Sequence, residues 1–496
     1  MPTSVNVPTV VIGAGLAGLA ASLALARAGH NVVLVEAGET FGGCCSATHI
    51  DGFTFNNGAM YVAVPSLLRH GFQRLGLDFE ALVPLQGITR PMQSHLDDGT
   101  VVHLTDASNS WVAGPRGEQR EQSTQILRVG LNRLQTQWGP IYRKLIHEIL
   151  PQEPSLWHSL RHLGLYLPRM GGRVDSLIKT YFPDVGLQAA VSATLLYTGI
   201  AADKLPATQI IGLLALLEEG FHLPSGGMSA IGEALYRHLP PSNVSIRWGQ
   251  RVVRIEMAAD KVCAVVLTNG ERLQTQRILT TISGFDVVRN LLPQNAVPQP
   301  LTRIANRTSL SHRAVSIQLG CSGVEFPNSF MINHVPGMEH QGRMHRTVTT
   351  RPDYCSYSVP TQVLPDLAPD GKQIIEMFAP VSSVDSASGW TPQMTDKAVQ
   401  LHVDALRHRM PGMQIESMRV MDPDGFVRQR HLYEGALYGV APGTPPHHFF
   451  PHRSGIGGLY LAGQTTFPGY GVSTAVWSGI QAAHAMIQDK QRRPRR

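Results

Sequence analysis

The alternation of apolar and polar positions changes period several times along the chain, and those changes divide it. Val10, Val11 and Ile12 form a short β-branched run, and Val32 to Val35 form a second. Between them an alanine- and leucine-rich stretch runs to Gly29. Strand, helix and strand in that order predict a βαβ unit on a parallel sheet. Residues 59 to 125 are irregular, with polar turns at Asp97-Asp98-Gly99 and around Gly114 to Gly117, and read as a short sheet insertion. From Ile126 to Phe182 helical spacing dominates, and Pro140, Pro151, Pro154 and Pro168 are expected to break it. Leu187 to Leu217 is apolar except at Asp203, Lys204 and Pro206. Neither half reaches the ~20 apolar residues a membrane span needs. Two buried helices are expected there, suited equally to lining an apolar cavity or filling a core.

The period then shortens. A helix is expected over Ser229 to Leu239, followed by a strand pair at Ser245–Trp248 and Val252–Glu256. A hairpin at Cys263–Thr268 and Arg272–Gln274 turns on Asn269-Gly270, and Ile278 to Ile282 is a further apolar strand. Strand candidates at Ala314–Leu319 and Gln373–Phe378 and an amphipathic helix over Met394 to Arg409 follow. Near the end a strand closes on Gly463, and a glycine-rich loop leads into a helix from about Ser473 to Ile487. The expected fold class is α/β: a discontinuous Rossmann-like nucleotide domain (1–90, 222–290 and 425–490) with an inserted α+β domain (91–221 and 291–424) and a basic tail (491–496).

Composition narrows the class. A chain of 496 residues, 43% hydrophobic and 16% charged, is globular and long enough for two domains. No charged leader precedes the first strand, so no signal peptide is expected. Five scattered cysteines without a CxxC predict free thiols in a reducing compartment, cytoplasmic or plastid-like. His334, His340 and His345 match no ligand spacing, and no metal site is expected. The net charge of +6 is unevenly spread: residues 126–182 carry eight Lys or Arg against three acids. Leu156, Trp157, Leu160 and Leu163 recur there with His158 and Arg161. Such a helix could lie on an anionic membrane surface, although charge alone describes a solvated basic face better. No nucleic-acid motif accompanies the charge, so no such partner is expected.

The candidate chemistry lies in the glycines. In Gly13-Ala14-Gly15-Leu16-Ala17-Gly18, Gly13 allows a tight turn off the strand and Gly15 lets backbone amides approach a diphosphate. Gly18 lets the helix lie close to the sheet. The helix N-terminus adds partial positive charge. Glu36, followed by Ala37, ends the second strand where a carboxylate accepts hydrogen bonds from a ribose. The unit is therefore expected to bind a dinucleotide. Gly42, Gly43 and Cys44, then Val253, then Gly463, Gln464, Gly471, Val472 and Ser473 complete the candidate set. No Ser-His-Asp or paired-carboxylate arrangement is legible, so the catalytic residues stay open. His431 and Glu434 could exchange protons and could equally be structural.

The fingerprint, Gly42-Gly43, Phe53 to Gly58, Pro224-Ser225-Gly226-Gly227-Met228 and Gly463 to Val472 occur here in one order. That order resembles the phytoene desaturase family of FAD-dependent oxidoreductases, which includes carotenoid desaturases, carotenoid isomerases and retinol saturases. The resemblance implies FAD bound extended, with ADP on the fingerprint and Glu36 and the isoalloxazine near the C-terminal block. It implies a hydrophobic tunnel in the inserted domain, a polyene substrate of the carotenoid kind, and desaturation or cis/trans isomerisation of its carbon–carbon bonds. Many members associate with membranes. Cys44 stands where carotenoid desaturases carry arginine, which removes a phosphate contact; Asn56 stands where many relatives carry aspartate. Two alternatives share the architecture: a flavin amine oxidase with an aromatic-caged pocket, and a non-catalytic lipid-binding or escort protein.

Overall fold

A computed structural model describes residues 7–491 apart from 116, 118, 201, 336–354 and 382–388. The opening β-branched run becomes the strand Thr9–Ile12, central in a five-stranded parallel sheet. Across that sheet the order is Val244–Arg247, Val32–Val35, Thr9–Ile12, Ile278–Thr280 and Leu459–Leu461. Every pairing is parallel. A parallel sheet is covered on both faces, which accounts for the unbroken apolar run Val32 to Val35. The sheet is gathered from chain segments more than 400 residues apart in sequence, as in the pairing of Thr9–Ile12 and Leu459–Leu461 through Ile278–Thr280.

One expectation changes here. The strands near 245 and 252 are not partners. Val244–Arg247 lies against Val32–Val35, whereas Val252–Ala258 pairs antiparallel with Lys261–Leu267, which pairs in turn with Arg272–Gln274. Gly249, at a left-handed φ of 63°, turns the chain from one sheet to the other.

Two bare backbones bring the ends of the chain together. A Cβ on Gly18 would lie 1.8 Å from the Gly13 carbonyl oxygen, and one on Gly479 would lie 2.1 Å from the Ala17 carbonyl oxygen. Only glycine permits either approach. The helix Val472–Gln491 thereby packs directly on the fingerprint helix Leu16–Arg27.

Among the described residues the second sheet has eight strands. Their order is Gln414–Met421, Arg313–Ser322, Gln373–Val381, Cys355–Ser358, Met331–Val335, Met92–Leu96, Val101–Leu104 and Trp111–Ala113. The stretches 91–221 and 291–424, expected to form one inserted domain, meet in this sheet through the parallel pairing of Met331–Val335 with Met92–Leu96. Beyond residue 491 the basic tail lies outside the described residues.

Pro140 does not break its helix. Gln119–Lys144 is continuous, and the change of geometry comes later, in the π-helical turn Leu145–Ile149. Trp138, Ile141 and Tyr142 are all buried around the proline. Their packing outweighs the ~3 kcal/mol that an interior proline costs. The apolar stretch from Leu187 forms the helices Val185–Ser192 and Ile211–Glu219, with the short helical segments Ala193–Thr198 and Ala207–Ile210 between them. No helix among the described residues is long and apolar enough to cross a membrane.

Candidate functional site

A cavity of about 890 Å³ runs from the C-terminal ends of the parallel strands to the underside of the inserted domain. At its first end the walls include Gly13, Gly15, Leu16, Ala17, Glu36, Ala37, Gly42, Gly43 and Cys44. Ala14 and Gly18 sit behind that wall. Ala14 donates its N–H to Glu36 Oε2 at 2.6 Å, and Gly38 donates to Oε1 at 2.7 Å. The carboxylate is thus held by two amides with its remaining lone pairs free to accept. A Cβ on Gly15 would meet no atom within 4 Å, so this glycine faces open space. The helix Leu16–Arg27 has no side-chain cap and no acid in its first turn, which leaves its positive end uncompensated. An amide-lined cradle beside a fixed carboxylate fits the diphosphate and ribose of a dinucleotide.

Farther along, Gly463, Gln464, Gly471, Val472 and Ser473 form the opposite wall. Gly463 N–H donates to Ser478 Oγ at 2.9 Å, which ties the loop to the last helix. That helix also lacks an acid in its first turn. Val253 lies apart from the other candidates. Its side chain is 45% exposed, at a shift of strand register, while Gln250, Arg251 and Val252 line the cavity. Strand alternation places Val252 inward and Val253 outward.

The glycine motifs converge on one buried acid. Glu376 is 1% exposed and lines the cavity. Its Oε1 accepts from Asn56 N–H at 3.0 Å and from Gln318 Nε2 at 3.1 Å, and its Oε2 from Asn56 Nδ2 at 3.4 Å. Asn56 Oδ1 accepts in turn from Met228 N–H at 3.3 Å, and Cys45 Sγ donates to Met228 O at 3.2 Å. Burial pushes the Glu376 carboxyl up to about 7, against the hydrogen bonds from Asn56 and Gln318 and the charge of Arg419. Glu376 can therefore hold or release a proton near neutrality. None of the sequence motifs points to it, although an acid within the apolar run Ile374-Ile375-Glu376-Met377-Phe378 is a signal for a buried carboxyl.

Tyr61, Tyr197, Tyr438 and Tyr470 cluster beside the C-terminal loop, with their phenols raised by burial. Tyr438 and Tyr470 stack directly, with ring centroids 4.5 Å apart. Two rings that clasp a substrate between them need about 7 Å, twice an ordinary contact distance. This pair leaves no such slot. Beyond it Ala193, Ala215, Ile146, Leu150 and Met331 give the cavity an apolar far end.

The two candidate proton carriers separate. His431 lines the cavity near Glu36; burial lowers its pKa, aided by Arg251 and opposed by Glu36. Glu434 is outside the cavity lining and pairs with Arg313 at 2.8 Å. Of the three histidines considered for a metal, His334 packs against the His95 ring at 4.7 Å, and His340 and His345 lie outside the described residues. Among the described residues no cluster of His, Cys, Asp or Glu could hold a metal ion.

Five residues separate Leu150 from the helix Leu156–Leu163, which two further short turns follow to Met170. Trp157 is 82% and Leu165 95% exposed, with Leu160 and Leu167 also exposed.

The profile of flavin containing amine oxidoreductases matches residues 16–487. The chain is 28% identical to a phytoene dehydrogenase of Streptomyces griseus, over 96% of this chain and 94% of that one. It is 26% identical to a lycopene-forming phytoene desaturase of Pantoea ananas, over 97% and 99%. Among solved structures, an oxidoreductase from Methanosarcina mazei shares the fold with a TM-score of 0.66 at 16% identity, covering 96% of this chain and all of that one.

Proposed function

The chain belongs to the flavin containing amine oxidoreductase family, and we propose that it desaturates a long polyene hydrocarbon of the carotenoid kind. The observation that carries this reading is a continuous cavity, with a dinucleotide cradle at one end and an apolar chamber at the other. FAD is the cofactor that fits the cradle. Gly13, Gly15, Leu16, Ala17, Glu36, Ala37, Gly42, Gly43 and Cys44 would hold its ADP half, with Ala14 and Gly18 shaping the turn from behind. Gly463, Gln464, Gly471, Val472 and Ser473 would hold the flavin half, and Val253, exposed and outside the cavity lining, would not touch it. Once bound, the flavin supplies a two-electron acceptor for removing hydrogen from adjacent carbons.

The protein's own part is to bind and orient. The walls formed by Ala193, Ala215 and Ile146 exclude water and align an extended chain that has no polar handles. Glu376, poised near neutrality, is the carboxyl placed to take up a proton released in the cavity. The directly stacked Tyr438 and Tyr470 speak against amine oxidation, because an aromatic cage needs a gap between its rings. The intact cradle speaks against a purely escorting role.

Peripheral membrane contact completes the proposal. A substrate insoluble in water must enter from lipid, and the exposed Trp157 and Leu165 lie in the segment that follows, in sequence, Leu150 at the apolar end of the cavity. Arg161, Arg169 and Arg173 lie in the same segment and suit an anionic surface.

The test is product analysis. FAD-loaded protein with liposomes holding a colourless polyene should yield products with longer conjugation. Unchanged polyene together with peroxide formation from amines would refute the reading.

A further inference from the structure

One cation in the cavity wall has no counter-charge among the described residues. The helix Pro423–Arg430 packs through Phe426, with Met421 and Leu432, against Cys44. This places Arg430 in the wall beside Gly43 and Ser46. Its Nη1 donates to Ser46 Oγ at 3.3 Å, and that hydroxyl donates to the Gly43 carbonyl oxygen at 2.7 Å. Gly43 in turn lies so close to Gly15 that a Cβ on it would sit 3.3 Å from the Gly15 Cα. The guanidinium is therefore one hydroxyl away from Gly43, which packs against the turn that opens the fingerprint helix. Its Nε is buried and makes no hydrogen bond among the described residues. Among the described residues it forms no ion pair. The neighbouring Arg419 repels it, and Cys44 is the one group nearby that would favour its charge.

A half-buried guanidinium without a counter-charge is costly, and so is an uncapped helix N-terminus facing the same space. Both costs are removed by one anion set between them. We propose that Arg430 supplies the charge that binds the diphosphate of the dinucleotide, reaching it from a segment more than 400 residues downstream of the fingerprint. The contacts lead to Gly43 and Gly15 and away from the Gly463–Ser473 loop, so the partner is the diphosphate and not the flavin ring. This inference rests on the FAD assignment above and adds a residue to it.

Titration of the full-length apoprotein with FAD, ADP and riboflavin tests it. Arg430→Gln should weaken FAD and ADP binding about ten- to a hundredfold, as expected for a lost charge-assisted hydrogen bond. Riboflavin, which carries no phosphate, should bind as before, and the salt dependence of FAD binding should fall. Arg430→Lys should recover part of the affinity. The apoprotein should melt at the same or a higher temperature in Arg430→Gln, because the unpaired charge has gone. Unchanged ADP affinity, a loss confined to riboflavin, or an apoprotein destabilised by Arg430→Gln would each overturn the proposal. Failure of the wild-type protein to bind FAD would instead remove the assignment on which it rests.

Discussion

The two ends of the cavity are built by different means. The cradle end is made of backbone: Gly13, Gly15, Gly42 and Gly43 leave the wall bare of side chains, with open space at Gly15, and Glu36 is held in place by the amides of Ala14 and Gly38. The apolar end is made of side chains drawn from separate elements, among them Ile146, Ala193, Ala215 and Met331. A backbone site tolerates almost no added atoms, whereas a side-chain chamber changes its contents when one residue changes. Cofactor binding should accordingly fail through sterics at glycine, and substrate choice through volume at the far end.

The sharpest break should come at Gly18. In Gly18→Val the new side chain meets the Gly13 carbonyl at a distance no packing allows. Stability should fall by about 3 kcal/mol or more, with FAD retention lost; denaturant melts and the flavin absorbance of the purified protein read both. At the other end Ala215→Trp should separate the functions. FAD should stay bound, while polyene turnover drops by about a hundredfold as the chamber fills. Loss of flavin in that variant would show that the two ends are not independent.

Glu376 sits between the ends and should report through pH. The folded protein binds its proton more tightly than the unfolded chain does, because burial raises the carboxyl from its ordinary 4.5 to about 7. Its contribution is therefore most favourable below pH 4.5 and is lost as the pH rises to about 7, amounting to about 3 kcal/mol over that window. Glu376→Gln should abolish this slope in urea midpoints measured from pH 5 to 8, and a slope that persists would assign it elsewhere. The smallest effect should be at Val253: Val253→Ser, on an exposed face, should change stability by less than about 0.5 kcal/mol and leave FAD affinity unaltered. A clear loss of flavin there would mean that a residue outside the cavity lining matters to the cofactor.

The same contrast explains what is legible in the chain. Backbone sites are written locally, so Gly13 to Gly18 with Glu36 mark the cradle in the sequence alone, as the apolar runs at Val32–Val35 and Ile278–Thr280 mark its parallel strands. Side-chain sites are assembled from afar. Glu376 meets Asn56 across 320 positions, and Tyr61 meets Tyr438 only in the folded cavity. The mistaken pairing near 245 and 252 has a related cause, since strands that are neighbours in sequence belong to different sheets. Pro140 shows propensity yielding to packing by Trp138, Ile141 and Tyr142. The exposure of Trp157 and Leu165 is likewise invisible to a pattern that shows only that residues are apolar.

The most direct test of one cavity with two dissimilar ends is a single turnover without oxygen. FAD-loaded protein is mixed with a polyene in liposomes, and flavin and polyene absorbance are followed together. Bleaching of the flavin in step with a red shift of the polyene, with no bleaching by amines, is the predicted result. Bleaching by amines with the polyene unchanged would contradict the account.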